Sequence, residues 1–403
     1  MVLKIPIRKI ALGTLAVVVL AAMAGWSGLD KETRGLLATV PTNRDLLFWN
    51  QPQRDAAFRA LDRLPVLAKA RVIAAGGAPS SLPPGPPLKL PLDVDAYMAT
   101  QRSAALLVVH EGKLRMERYG LNFDSAGRWT SFSVAKSVTA TLVGAALRDG
   151  HIKSMDDKVS QYIPQMTGSA YDDVSVRQLL TMTSGVRWNE DYSDPNSDVA
   201  QFNNHKPEEG VEAIVSYLRR LPRSSAPGTR WNYSTGETNL VGVLLANATR
   251  RPLSNYLSEK IWVPVGMEQK ATWILSKTSQ EVSGCCIQAA SRDFARFGLF
   301  ILNGARVDDN SIVPDGWLAD ATTERTAIGQ PGRGYGYMWW TYADGSYTAR
   351  GIFGQGIFID PKRKIVIVSN ANWASGARDQ AADKARDGFY QAVQKSIDNE
   401  AAP

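Results

Sequence analysis

Apolar residues recur along this chain with two different periods, and the changes between them divide it. In residues 53–64, Phe58, Leu61 and Leu64 share one helical face. Residues 74–92 (AAGGAPSSLPPGPPLKLPL) are too rich in Gly and Pro for a helix and read as a linker or an extended wrap. AALLVVH at 104–110, the Glu111-Gly112 turn and KLRMERY at 113–119 predict a hairpin with one apolar and one alternating strand. From Ser133 the period becomes helical: Val134, Val138, Leu142 and Ala146 are spaced by fours and Gly150 follows as a C-cap, predicting a helix over 133–148. The same reading places helices at 175–183, 211–220, 237–248 and 292–303. Strands return at 335–342, 346–349, 352–359 and 364–369, and a last helix covers about 377–397. This order predicts an α+β chain with one antiparallel sheet assembled from both ends and flanked by helices. A mostly helical second lobe over about 131–270 is inserted in it, and a cleft is expected where sheet and lobe meet.

The N-terminus has its own pattern. Lys4, Arg8 and Lys9 precede an uncharged run over 10–29, in which Ala22-Met23-Ala24 offers a small-residue cleavage site. Residues 1–29 are therefore expected to be a secretory signal peptide or an uncleaved membrane anchor. Either puts the rest of the chain outside the cytoplasm: periplasmic, or tethered through 10–29 to the inner membrane and facing the periplasm. Residues 30–92 follow as an N-terminal extension ending in the Pro-rich linker.

With 403 residues, 44% hydrophobic and 21% charged, the composition excludes disordered, collagen-like and multi-span membrane classes. The net charge of +7 comes from scattered basic residues with no aromatic interleaving, so no nucleic-acid partner is expected. The two cysteines, Cys285 and Cys286, are adjacent. A trans peptide holds neighbouring Cα atoms about 3.8 Å apart, below the usual disulfide span, so two small buried thiols are expected.

Elimination narrows the chemistry. His110, His151 and His205 fall in no H-E-x-x-H or Cys/His cluster, so neither a metal nor a cofactor is expected. No P-loop is present, Gly332-Arg-Gly-Tyr-Gly336 lacks the context of a dinucleotide site, and G-x-S-x-G is absent. Ser133-Val-Ala-Lys136 remains. Residues three apart share a helix face, so Lys136 can lie beside the Ser133 hydroxyl, while Ser133 sits where the helix dipole favours developing negative charge. A serine nucleophile needs an adjacent base, and a buried lysine gives up its proton readily. Tyr233, delivered just before a helix, could relay that proton, and Gly351 within a strand suggests close approach of a ligand or another backbone.

At these places the sequence resembles the serine β-lactamase and penicillin-binding-protein superfamily, in the branch of class C β-lactamases, related esterases and 6-aminohexanoate-dimer hydrolases. The carrying strings are RWTSFSVAKSVTATLVGAAL, VSVRQLLTMTSGV, PGTRWNYST, SRDFARFGLFILNGA and GIFGQGIFIDP, in the family's order. The resemblance implies a β-lactamase/transpeptidase-like domain over 93–400. It makes Ser133 the acylated nucleophile, Lys136 its base or electrostatic activator, and Tyr233 the acid/base. The N–H groups of Ser133 and Ile352 become the oxyanion hole. Tyr192, in the stretch EDYSDP that resembles the substrate loop of the dimer hydrolases, is a substrate-contact candidate together with Gly351 and Thr235. Two departures stand out: Thr235 replaces the family's Asn, and Ala349 replaces the Lys that helps hold a β-lactam carboxylate. The favoured expectation is a serine hydrolase (amidase or esterase) acting on a small ester, a short peptide or a short linear amide. A D-alanyl-D-alanine peptidase or weak β-lactamase, and a non-catalytic receptor on the same fold, are the alternatives.

Overall fold

The computed structural model describes residues 7–39, 46–63, 68–376 and 379–401. Lys4, Leu64 and Ala377, used above, lie outside them. The main sheet has eight antiparallel strands, in the spatial order Lys113–Tyr119, Ser103–His110, Ile365–Ala371, Gly356–Asp360, Tyr347–Arg350, Trp340–Tyr342, Arg333–Tyr335 and Thr326–Gln330. The early hairpin and the late strands join where Ile365 pairs His110 and Ser369 pairs Leu106. Residues 104–109 are almost wholly inaccessible, because one face of this strand meets the helix Ser291–Leu302 and the other the C-terminal helix Gln380–Ala401. That explains an unbroken apolar run where a half-exposed strand would alternate. The fold is the β-lactamase/transpeptidase-like α+β arrangement.

Two predicted strands are interrupted, each at a place that matters for the cleft. The expected strand 335–342 divides into Arg333–Tyr335 and Trp340–Tyr342 around a buried turn in which Met338 has φ +59°. A Cβ on Gly336 would lie 2.0 Å from the Ala321 carbonyl, so the backbones pass too closely there for a continuous ladder. The expected strand 352–359 begins only at Gly356. Gly351 N–H donates to the Gln355 carbonyl at 2.8 Å, closing a turn through Gly354 (φ +91°) that lifts Ile352 out of the sheet.

A second antiparallel sheet, absent from the sequence reading, orders Ala70–Ile73, Ala271–Ile274, Ile287–Ala290 and Arg128–Thr130. Arg128–Thr130 leads directly into the helix Val134–Arg148, so this sheet sets where that helix starts. The Pro-rich stretch is an extended wrap along the hairpin, with Gly85 N–H donating to Leu114 O and Leu88 N–H to Arg115 O.

Cys285 and Cys286 are joined as a disulfide, which corrects the expectation of two thiols. The expectation rested on the short Cα separation of neighbouring residues, which is 3.7 Å here and does not prevent the bridge. Cys286 adopts φ +74°, which breaks the alternation of neighbouring side chains.

At the N-terminus a helix runs over Ile7–Gly28, with Leu15, Val17, Val18, Leu20 and Met23 more than half exposed. Among the described residues no helix is long and apolar enough to cross a membrane.

Candidate active site

Ser133 stands at the N-cap of the helix Val134–Arg148, and the helical i,i+3 spacing brings Lys136 back beneath it. Lys136 is 1% exposed. Its Nζ donates to Ser133 Oγ at 3.0 Å, to Thr235 Oγ1 at 2.9 Å and to the Gly284 carbonyl at 2.9 Å, so all three ammonium protons have acceptors. Burial lowers its pKa to about 8, against the opposing attraction of Glu190. The amine is poised: losing one proton would free a lone pair to accept the Ser133 hydroxyl hydrogen.

Tyr233 arrives on the segment before the helix Thr235–Thr249, half-buried, with its ring 5.1 Å from Lys136 Nζ. Burial and the Glu190 charge push its pKa far above the usual phenol value, so Tyr233 stays protonated. Trp231, Tyr335 and Trp340 pack around it, with ring centroids at 6.2, 6.2 and 5.5 Å. The hydroxyl, the amine and the phenol from distant segments therefore converge.

Glu190 is the residue that sequence reasoning missed. Its carboxylate accepts from Trp188 Nε1, from Tyr192 OH at 2.5 Å, and from both the N–H (2.9 Å) and the hydroxyl of Thr235. Thr235 thus accepts from Lys136 and donates to Glu190, linking the cation to the anion through one hydroxyl. The W-x-E-x-Y spacing around it was the available signal. Tyr192 and Thr235 accordingly spend their hydroxyls on Glu190 in this structure instead of offering them to the cleft.

On the sheet side, Gly351 lies against the nucleophile segment: a Cβ there would be 3.0 Å from the Phe132 Cβ and 2.6 Å from Gln355 Oε1. Among the described residues neither the Ser133 N–H nor the Ile352 N–H has an acceptor within the protein. Two unpaired donors converging on one oxygen are what a tetrahedral oxyanion requires. Arg350 points the other way, stacked on Trp340 and Tyr342 and paired with Asp387 at 3.2 Å. It leaves the position of the family's lysine, Ala349, without a cation.

A buried acid, Glu237, lies in the first turn of the helix Thr235–Thr249, two residues after Thr235. Burial raises its pKa to about 8, partly offset by hydrogen bonds from Ser184 and Tyr171, so it is held neutral near pH 7.

Comparison with known proteins agrees with this geometry. The beta-lactamase family model matches residues 93–391. A 6-aminohexanoate-dimer hydrolase of Paenarthrobacter ureafaciens is 26% identical over 296 residues, covering 70% of this chain and 75% of that protein. A beta-lactamase of Pseudomonas fluorescens is 31% identical over 186 residues, covering 43% of this chain and 48% of the relative. Among solved structures, a putative 6-aminohexanoate-dimer hydrolase from Bacillus anthracis superposes with a TM-score of 0.77 at 21% identity, covering 90% of this chain and 98% of its own. With the family model matching residues 93–391, well over half of its length, the chain belongs to the beta-lactamase family and is a hydrolase of that superfamily.

Proposed function

We propose that this protein is an exported serine amidase or esterase that cleaves a small ester or short linear amide through an acyl-enzyme on Ser133. The observation that carries this reading is the 3.0 Å contact between the Ser133 hydroxyl and a buried amine whose pKa is brought down to about 8. Lys136 is the base and Tyr233 is not, since desolvation drives the amine toward its neutral form and keeps the phenol protonated. Ser133 Oγ attacks the carbonyl as its proton passes to Lys136, and the oxyanion rests on the N–H groups of Ser133 and Ile352. Tyr233 gives its proton to the departing amine or alkoxide and regains one from Lys136. Water then attacks the acyl-enzyme by the reverse sequence, releasing the acid and restoring Ser133.

Linear substrates are favoured over β-lactams by the absence of a cation at Ala349, with Arg350 committed to Asp387 on the far side of the strand. The positively flanked apolar segment supports export, with periplasmic release or inner-membrane tethering. Intact mass after incubation with a fluorophosphonate, an aryl ester and a penicillin tests the reading. The expected result is one adduct on Ser133 with the fluorophosphonate, rapid ester turnover, and no stable penicilloyl adduct. A Ser133→Ala variant that kept full ester turnover would overturn it.

A further inference from the structure

The helix Gln51–Ala60 precedes the region matched to the family, yet its buried side chains reach both backbone segments of the oxyanion hole proposed above. Phe58 is fully buried, with its ring centroid 4.9 Å from Phe132 and 5.3 Å from Phe353, and those two rings lie 5.0 Å apart. Phe132 immediately precedes Ser133, and Phe353 immediately follows Ile352. The three rings form a triangle with two corners covalently adjacent to the two N–H donors.

The corner beside the nucleophile has particular need of support. Phe132 adopts φ +43°, a region costly for a bulky side chain and kept only when surrounding packing fixes it. Arg54, 4% exposed, secures the other corner. Its guanidinium lies 4.5 Å from the Phe353 ring centroid and donates to Asn372 Oδ1 (2.9 Å), Trp373 O (3.0 Å) and Ala374 O (2.8 Å). The Trp373 N–H in turn donates to Phe353 O at 3.2 Å.

We propose that Phe58 and Arg54 are positioning residues for the oxyanion hole, so that this N-terminal helix is a working part of the active site. Phe58 sets the separation of the Ser133 and Ile352 donors, and Arg54 fixes the turn bearing Ile352. The inference rests on the acyl-enzyme reading of Ser133.

The test compares an aryl ester with its thionoester counterpart on the full chain, because a thiocarbonyl sulfur gains little from donors aligned for oxygen. The Phe58→Ala variant is expected to lower kcat for the ester about 10- to 100-fold, the scale of a misplaced donor, with KM within about threefold. The ratio of ester to thionoester turnover should narrow with it, and Phe58→Leu should restore most of both. Arg54→Gln, which opens a smaller void, should move that ratio in the same direction. A Phe58→Ala protein with native near-ultraviolet circular dichroism and an unchanged ratio overturns the proposal. Should Phe58→Ala fail to fold, an unchanged ratio in Arg54→Gln does the same. Wild-type protein that neither turns over the ester nor takes a fluorophosphonate on Ser133 overturns the underlying reading instead.

Discussion

A lysine that spends three hydrogen bonds inside the protein is held at the margin of its charged state, and the consequence is a pH dependence. Burial is the dominant cause of its low pKa, so kcat/KM should rise with pH and reach half its plateau near pH 8, read from a pH–rate profile on an aryl ester. Lys136→Arg keeps the charge but cannot act as a base, and it should lose about 10²–10⁴ in rate. Glu190→Gln removes the attraction that opposes burial at Lys136, so the rising limb should move to lower pH. Tyr192, Tyr233, Tyr335 and Glu237 feel the same charge, which adds to burial in raising the pKa of each. Ser133 and Lys136 were legible in the sequence because one helical turn joins them. Glu190 was less so: the local W-x-E-x-Y spacing carried a signal, but its partnership with Thr235 spans 45 residues of chain.

Elements were legible where a period was long enough to repeat. The helix Val134–Arg148 and the hairpin of Ser103–His110 with Lys113–Tyr119 fall within one or two residues of expectation. The second sheet was not legible, because strands as short as Ala70–Ile73 or Ile287–Ala290 contain too few positions to show alternation. Where a ladder breaks the causes differ: at Gly336 it is the close approach of the Ala321 carbonyl, and at Gly351–Gln355 a turn through the positive φ of Gly354. The helix Thr235–Thr249 carries a testable cost in Glu237. Its pKa rises from 4.5 in the unfolded chain to about 8 in the folded one, so the folded state holds the extra proton. Its contribution is fully present below pH 4.5 and is lost as pH rises toward 8. Glu237→Gln should flatten that decline, with its largest gain in denaturant midpoint above pH 8. On Ser291–Leu302, a Cβ at Gly298 would lie 2.5 Å from Val366 Cγ1 and 3.0 Å from Ile357 Cγ2. Gly298→Val should therefore push the helix off the sheet and cost about 1–3 kcal/mol or more in chemical denaturation.

At the scale of the whole molecule, the helix Ile7–Gly28 and the catalytic lobe make separable contributions. If the export proposed above holds, a chain beginning at Asp30 should retain the kcat of the protein with Ile7–Gly28 present but appear in the cytosol, as cell fractionation with an ester assay would report. The sheet behaves differently, because its second and third strands in space, Ser103–His110 and Ile365–Ala371, pair across some 255 residues of chain between His110 and its partner Ile365. Ribosomal synthesis delivers the first of these long before the second, so for most of translation the apolar run 104–109 has no neighbour on one side. Such an edge invites pairing with other chains or attack by proteases. A polypeptide that cannot close this sheet until Ile365–Ala371 has emerged keeps the unfolded, threadable form that the export proposed above would require.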